Sequence, residues 1–218
     1  MKKTFIVIGL GRFGANVAKT LARMNLDVLA IDKDEDVVTA IAKDVPHSLI
    51  ADSTKMNVLK DLGVQDIDHA VVAIGNNLQA SILTVINLKN LGVKMISVRA
   101  DSEQHKELYS LIGATEVIVP EESSAVMFAN QISSDSILDY YAIASDYAMV
   151  QITVSNDFSD KTLVDLDLRN NFDVNIVGIL RNKEFFVPFA KDQLKVGDIV
   201  VVVGAKNKLK KFDAYLND

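Results

Sequence analysis

Residues 4–32, TFIVIGLGRFGANVAKTLARMNLDVLAID, constrain the fold of this chain more than any other stretch. An apolar run ends at a glycine-rich turn, GLGRFG at residues 9–14, and a helical pattern follows it. A second apolar run then ends in Asp32. Strand, glycine turn, helix, strand and acidic residue, in that order, predict the first βαβ unit of a nucleotide-binding parallel sheet.

Each glycine of this turn has its own physical task. Gly9 permits the tight turn, Gly11 lets the backbone approach a ligand phosphate, and Gly14 lets the helix and the strand pack closely. The free amide groups and partial positive charge of the helix N-terminus favour a phosphate here. Asp32 can accept hydrogen bonds from a ribose diol and repels a 2′-phosphate, which favours NAD or an adenine nucleotide over NADP. The alternative is a structural turn that binds no ligand.

Arg12 lies inside the turn and bears on the kind of nucleotide. Its guanidinium can make paired, charge-assisted hydrogen bonds to phosphate oxygens. This favours ADP or ATP at least as readily as a dinucleotide. The alternative is an ordinary exposed arginine at the start of a helix.

Apolar strands and helical segments continue to alternate up to about residue 120. They predict a Rossmann-type, doubly wound parallel sheet, in which a ligand lies at the carboxyl ends of the strands. At that edge we expect Asp52 and Ser53 to meet an adenine or ribose, and Arg99 a phosphate. Glu121 is expected at a metal ion or a ribose. For each polar residue of this edge, the alternative is a role in capping a helix or a position in a solvated loop. The polar residues of this edge are Asp32, Asp52, Ser53, Asn76, Asn77, Arg99 and Glu121.

A different pattern follows residue 120. Residues 121–133 predict an amphipathic helix, residues 133–136 (SSDS) a hinge, and residues 148–155 a strand with one buried face. The later segments contain no recognisable catalytic triad, HExxH motif or carboxylate pair, which argues against an enzyme. An NAD-dependent oxidoreductase or an NADH redox sensor remains the alternative. The predicted parts are a Rossmann-type domain at 1–120, a linker helix and hinge at 121–136, and a small α+β domain at 137–218.

Composition narrows the classes of function. The net charge of −6 argues against nucleic acid as the main partner. The absence of cysteine excludes disulfides and a cysteine nucleophile, and it fits a reducing cytoplasm. The three histidines are scattered without ligand spacing, so no zinc site is expected. No apolar stretch approaches the roughly 18 residues that a membrane-spanning helix needs.

Taken together, these segments resemble the cytoplasmic RCK (regulator of potassium conductance) proteins of bacterial potassium uptake systems, of the KtrA/TrkA type. The likeness is carried by the strand, GLGRFG turn and helix, by Asp32, and by the segments AIGNNLQAS, VPE and VGDIVVVVG at residues 73–81, 119–121 and 196–204. It covers nearly the whole chain. It implies an RCK N-domain followed by a TrkA-C domain, in a regulatory protein without catalytic activity of its own.

The resemblance also implies the ligands of the N-domain. The family binds ATP or ADP, and sometimes NAD(H), in the Rossmann cleft. Glu121 is expected near the terminal phosphate, where it helps bind Mg²⁺ or Na⁺, and Arg99 stands where the family often has lysine. The residues expected to bind the nucleotide are Gly9, Gly11, Arg12, Phe13, Gly14, Asp32, Lys33, Asp52, Ser53, Ala73, Ile74, Gly75, Asn77, Arg99 and Glu121.

For the TrkA-C domain the resemblance implies a cyclic di-AMP site across a dimer interface. Arg169 is expected beside a phosphate, and Asn175 with Ile176 at the base edge. Exposed polar residues beside apolar ones are also what any half-buried surface contains, which is the alternative. The residues expected at this site are Val164, Leu168, Arg169, Asn175, Ile176 and Pro188.

The partners implied by the resemblance are of two kinds. One is a membrane potassium-translocating subunit of the Ktr or Trk type. The other is the chain itself, paired into dimers that assemble as an octameric ring. The resemblance thus places the protein in the cytoplasm, at the inner face of the cell membrane through its partner subunit.

Overall fold

The structure is a computed structural model that describes residues 2–158 and 161–217. The chain divides into two compact units, residues 1–122 and 123–218. The first is a parallel sheet with helices and the second contains an antiparallel sheet with helices. The predicted fold class, a Rossmann-type sheet followed by a small α+β domain, is therefore confirmed.

The strands of the first unit are β1 (Thr4–Ile8), β2 (Asp27–Asp32), β3 (Ser48–Ile50), β4 (His69–Val72), β5 (Met95–Arg99) and β6 (Glu116–Ile118). They form a parallel sheet in the order β3-β2-β1-β4-β5-β6. The chain winds outward from β1 to β3 on one side and then crosses to β4, β5 and β6 on the other. The winding reverses between β1 and β4, and such a reversal leaves a crevice at the carboxyl ends of the strands.

Helices cover both faces of this sheet because β1 is apolar on both. Ile6 and Ile8 pack in one cluster, and Val7 packs in the other. Asp34, Asn77 and Ser102 begin three of the helices by accepting a backbone N–H of the first turn. The helices are α1 (Arg12–Arg23), α2 (Glu35–Ile41), α3 (Met56–Asp61), α4 (Leu78–Asn90), α5 (Glu103–Ile112) and α6 (Pro120–Gln131), which continues into the second unit.

The second unit contains five strands, β7 (Ile137–Ala142), β8 (Tyr147–Thr153), β9 (Val174–Arg181), β10 (Glu184–Phe186) and β11 (Ile199–Ala205). They form an antiparallel sheet in the order β10-β9-β11-β8-β7. Alternate residues of β8, such as Val150 and Ile152, are buried. They belong to the same core as Phe212 and Leu216. The helices of this unit are α7 (Leu163–Leu166), α8 (Leu168–Phe172) and α9 (Lys206–Asn217).

Two elements of the second unit were not predicted from the sequence. β7 pairs with β8 through an irregular register between Ile137 and Asp139, which interrupts the alternation that identifies a strand. α8 has only five residues and follows Asp167, which has a positive φ of 41°. The predicted hinge at 133–136 is hydrogen-bonded to α9, because Ser134 and Ser136 both donate to the carboxylate of Asp213.

An ion pair with a buried carboxylate joins the end of β9 to the residue that precedes β11. Asp198 is 1% exposed, and Arg181 donates to both of its oxygens, from Nε and Nη2, at 2.7 Å each. The backbone N–H of Lys195 donates to the same carboxylate, and Arg181 also donates to the Gln193 carbonyl. The hydrogen bonds to Asp198 hold the pKa of Arg181 above its ordinary value. The charge on each partner is therefore compensated inside the fold.

A polar chain crosses three neighbouring strands of the first unit. His69 Nε2 lies 2.8 Å from Ser97 Oγ, which in turn donates to Glu116 at 2.7 Å. Burial lowers the pKa of His69, and the positive charge of Lys3 lowers it further, whereas the negative charge of Glu116 acts in the opposite direction.

The lowered pKa of His69 predicts how the free energy of unfolding depends on pH. The unfolded chain takes up a proton more readily than the folded chain, so the free energy of unfolding falls as the pH drops from about 7 to about 5. We expect His69→Gln to reduce this slope, because glutamine does not titrate and can still hydrogen-bond Ser97. Urea denaturation at both pH values measures it, with the exposed His47→Gln as control. Equal slopes for the two variants would contradict the prediction.

Candidate functional site

A cleft of about 1180 Å³ lies in the first unit, at the carboxyl ends of the strands. It contains the ends of β1 and β5, the GLGRFG turn, the segments that follow β2, β3 and β4, and Glu121. Every residue predicted to bind the nucleotide lines this cleft, with the exception of Gly14. The structure therefore brings together residues from six separate parts of the chain, between Gly9 and Glu121, in one place.

At two of the three glycines of the turn, Gly9 and Gly14, a side chain would collide with neighbouring atoms, whereas at Gly11 it would meet open space. Gly9 has a φ of +89°, and a Cβ there would lie 2.9 Å from the backbone of Ala73 and Ile74. A Cβ on Gly14 would overlap the carbonyl oxygen of Gly9, so Gly14 supports the turn from behind and does not line the cleft. At Gly11 no described atom lies within 4 Å of the Cβ position, and this open space is where a phosphate can approach the backbone.

Asp32 fixes the turn to the end of β2. One carboxylate oxygen accepts the backbone N–H of Leu10 at 2.7 Å, and the other accepts that of Asp34 at 3.0 Å. Each oxygen of a carboxylate has two acceptor positions, so each keeps one for a ligand hydroxyl. A ribose diol fits this arrangement, whereas a phosphate would be repelled.

The loop after β3 forms the wall beyond Asp32. Asp52 accepts hydrogen bonds from the backbone and the hydroxyl of Thr54, at 3.1 and 2.6 Å. The Thr54 hydroxyl is the main cause that lowers the pKa of Asp52, so this carboxyl is charged at neutral pH. Ser53 is 5% exposed, and its hydroxyl lies 2.7 Å from that of Thr84. The Ser53 hydroxyl thus faces the protein interior, which the sequence did not indicate.

Arg99, the last residue of β5, lines the cleft and is paired with acidic residues. Its Nη2 donates to Glu121 at 2.7 Å and lies 3.2 Å from Asp101. A Cβ on Gly75 would overlap its Nη1, so the guanidinium lies directly over the backbone of Gly75. Its buried Nε has no hydrogen-bond partner among the described residues.

Glu121 is charged at neutral pH. The hydrogen bond from Arg99 is the main cause that lowers the pKa of Glu121, and the charge of Arg12 contributes. Within residues 2–158 and 161–217, no group of three or more histidine, aspartate and glutamate side chains is placed to hold a metal ion. A cation at Glu121 would therefore take its other oxygen ligands from water, from a bound phosphate or from another chain, and the metal site stays a prediction.

Several residues of the cleft were not assigned to the nucleotide from the sequence. Ala51 and Thr54 flank the predicted pair Asp52 and Ser53, and Asp34 closely follows Asp32, so proximity to a predicted residue was a usable signal for these three. Asn76 lies in the loop before α4, and the others come from helices or from the end of β1, where only the packing decides which side faces the cleft. The full set is Ile8, Asn16, Asp34, Val37, Ala51, Thr54, Asn76 and Ala80, of which Asn76 was predicted only as a polar residue of this edge.

The residues predicted to bind cyclic di-AMP lie in the second unit. Arg169 and Asn175 are both exposed, and Arg169 Nε donates to Asn175 Oδ1 at 3.2 Å. Val164 is 62% exposed, while Ile176 and Pro188 are half-buried. Leu168 is only 7% exposed and packs in the core of the unit, so it offers little surface to a ligand.

Comparison with known proteins agrees with this architecture. The family model of the TrkA-N domain matches residues 5–120, and that of the TrkA-C domain matches residues 147–217. The chain belongs to the TrkA-N/TrkA-C family. The resemblance to RCK proteins of the KtrA/TrkA type is thereby confirmed.

Two relatives from Bacillus subtilis (strain 168) match this family member over nearly its whole length. Ktr system potassium uptake protein C is 42% identical over 214 residues, which is 98% of this chain and 97% of the relative. Ktr system potassium uptake protein A is 35% identical over 212 residues, which is 97% of this chain and 96% of the relative.

Among solved structures, the RCK domain of GsuK superposes with a TM-score of 0.69 at 13% sequence identity. The match covers 100% of this chain and 48% of the chain in that structure, so the present chain spans about half the length of the GsuK chain it matches. At this identity the likeness shows the RCK fold. In the described part of the chain, no helix is long and apolar enough to span a membrane.

Proposed function

We propose that the chain is the nucleotide-sensing regulatory subunit of a Ktr-type potassium uptake system. The observation that carries this proposal is the 42% identity to a Ktr system potassium uptake protein over 98% of the chain. In this proposal the chain acts in the cytoplasm, at the inner face of the membrane, on a potassium-translocating subunit. It has no catalytic activity of its own.

The geometry of the cleft supports an adenine nucleotide as the ligand. The phosphates would lie at Gly11 and the N-terminus of α1, and the ribose at Asp32. Because β3 lies next to β2 in the sheet, the base would lie at the following loop, beside Asp52. In this pose each polar part of the ligand meets a partner of suitable charge.

A regulatory protein that distinguishes ATP from ADP needs a contact made only with the terminal phosphate. The coupling free energy between a ligand site and a second site that responds to it is typically about 1–3 kcal/mol. We assign this contact to Arg12, with Glu121 binding Mg²⁺ or Na⁺ beside the same phosphate. Glu121 lies in the first turn of α6, which leads into the second unit. A change at Glu121 therefore begins at the segment that joins the two units.

Cyclic di-AMP is proposed as a second ligand, bound by the second unit. The contact between Arg169 and Asn175 places a cation and an amide side by side at the surface. The backbone N–H of Val164 donates to the Ala190 carbonyl, which brings the exposed Val164 near the segment that contains Pro188. A phosphate and an adenine edge fit these groups, with apolar surface beside them.

Pairing with a second copy is supported by α6. None of its residues, all of which are described, is buried, although the helix carries Val126, Met127 and Phe128. A helix with exposed apolar residues of this size is usually covered by a partner. We propose that α6 contributes to a dimer, and that dimers assemble into an octameric ring.

Titration calorimetry with ATP and ADP tests the function and the role of Arg12. We expect the wild-type chain to bind both nucleotides, and Arg12→Ala to lower the ATP affinity about tenfold and the ADP affinity less, since one charge-assisted bond is lost. Arg23→Ala, at the other end of the same helix, serves as the control. An unchanged ratio of the two affinities in Arg12→Ala would remove this residue as the discriminator.

Two further ligands complete the titration. Cyclic di-AMP should still bind to Arg12→Ala and should bind more weakly to Arg169→Ala. Tight NADH binding without a response to ATP, ADP or cyclic di-AMP would instead favour the redox sensor. Oxidation of bound NADH on adding a metabolite would favour the oxidoreductase.

A further inference from the structure

Helix α4 carries polar side chains where a core helix is usually apolar. Ser81 and Thr84 are 0% exposed and Asn87 is 8% exposed. The same helix contributes Val85 and Leu88 to the hydrophobic core. Buried polar groups cost free energy unless they have hydrogen-bond partners, so the partners of these side chains indicate their purpose.

The partners of Thr84 and Asn87 lie in the loop after β3. The hydroxyls of Thr84 and Ser53 are 2.7 Å apart. Asn87 Nδ2 donates to the Thr54 carbonyl at 2.9 Å and to the Ser53 carbonyl at 3.3 Å. Two side chains of α4 therefore hold one short loop by three contacts.

The same helix also reaches the cleft directly. Asn77 and Ala80, at its start, line the cleft, whereas neither Thr84 nor Asn87 is among the described residues that line it. Ala80, Thr84 and Asn87 are four and three residues apart and so share one face of the helix. This face begins at the cleft and ends beneath the loop.

We propose that Thr84 and Asn87 are positioning residues for the nucleobase end of the cleft, which they set by holding residues 52–54 without touching the ligand. This inference rests on the proposed nucleotide function. The loop is a connection of five residues between Ile50 and Met56. Its other hydrogen bonds to described residues lie within the loop itself or join it to Asp32 and to α3, so Thr84 and Asn87 are what hold it to α4. The glycine turn, by contrast, is held by Asp32 and by the packing of Gly14, independently of α4.

The independence of the two ends makes the inference testable with two probes. ATP contacts both ends of the cleft, whereas inorganic tripolyphosphate contacts only the phosphate end. A variant that disturbs the loop should weaken the binding of ATP and leave that of tripolyphosphate unchanged. General damage to the domain would weaken both.

Asn87→Asp is the sharpest variant, because it keeps the shape and replaces the two donated hydrogen bonds with repulsion between oxygens. The matched control is Asn90→Asp, an exposed position on the same helix with the same change of charge. By calorimetry we expect Asn87→Asp to bind ATP about tenfold more weakly than the control, a loss typical of unpaired buried polar groups, and to bind tripolyphosphate equally.

A second pair of variants guards against misfolding of Asn87→Asp. Thr84→Val removes the hydroxyl at nearly constant shape and should weaken ATP binding, whereas Thr84→Ser keeps the hydroxyl and should restore it. The inference is overturned if Thr84→Val and Asn87→Asp bind ATP as their controls do, or lose ATP and tripolyphosphate equally. If the wild-type chain and Asn90→Asp bind no adenine nucleotide, the proposed function itself fails, and this inference with it.

Discussion

Gly14→Ala should lower the free energy of unfolding of the first unit by about 3 kcal/mol, the upper end of what overpacking usually costs. The added Cβ would overlap the carbonyl oxygen of Gly9 and lie 3.0 Å from the Cβ of Ala73. Neither neighbour is the end of a flexible side chain, so the turn and α1 have to separate. Urea denaturation followed by circular dichroism measures the loss, and nucleotide affinity should fall with it.

Gly11→Ala is the matched variant, with the opposite expected pattern. Gly11 has a φ of −61°, which alanine adopts readily, and no described atom lies within 4 Å of its Cβ position. Alanine is a poorer N-cap than glycine but restricts the unfolded chain, and these effects offset each other to within about 0.5 kcal/mol. The methyl group would occupy the space of the phosphate, so ATP affinity should fall about tenfold or more.

The two glycine variants together test the structure of the turn. Gly14→Ala as stable as the wild-type chain would contradict the close packing behind the turn. Gly11→Ala with unchanged ATP affinity would show that the phosphate does not approach the turn at this point. Either result would be visible without any assay of potassium transport.

Asp198→Ala should lower the free energy of unfolding of the second unit by about 2–3 kcal/mol, because it removes a buried carboxylate that accepts three hydrogen bonds. Arg181 would lose two hydrogen bonds at 2.7 Å, and the backbone N–H of Lys195 would lose its acceptor. Hydrogen exchange measures the effect locally. The amides of β9 and β11 should lose protection while those of β1 keep it.

An exposed ion pair provides the control for Asp198. Lys19 and Asp44 are 2.7 Å apart, but the Asp44 side chain is 44% exposed. The same hydrogen bond lowers the pKa of Asp44, yet Asp44→Asn should destabilise the protein far less than Asp198→Ala does, because exposed pairs are screened by water. Similar losses for Asp198→Ala and Asp44→Asn would contradict the importance assigned to burial.

The first unit was largely predictable because its signals are local. The GLGRFG turn, the two apolar runs and Asp32 lie within 29 residues and follow one another in an order that few folds share. The parallel strands end at one edge, so the polar residues that follow them were expected together before any contact was known. The structure brings them to one cleft.

The second unit was less predictable because its signals are weaker. β7 pairs with its neighbour in an irregular register. α8 is only five residues long and begins after Asp167, which has a positive φ. Neither leaves a period long enough to detect. The sequence did not predict that Leu168 is buried while its neighbour Arg169 is exposed, because a five-residue helix contains too few apolar positions to define a buried face.

The sequence by itself determined the fold class, the glycine turn and the residues that meet at the ends of the parallel strands, since each depends on the order of residues along the chain. Only the tertiary structure decided what each side chain contacts. It pairs Arg99 with Glu121, turns the Ser53 hydroxyl toward Thr84 and places Asn87 beneath the loop at 52–54. These partners are 22 to 34 residues apart in the chain, and no local period relates residues that only the packing brings together.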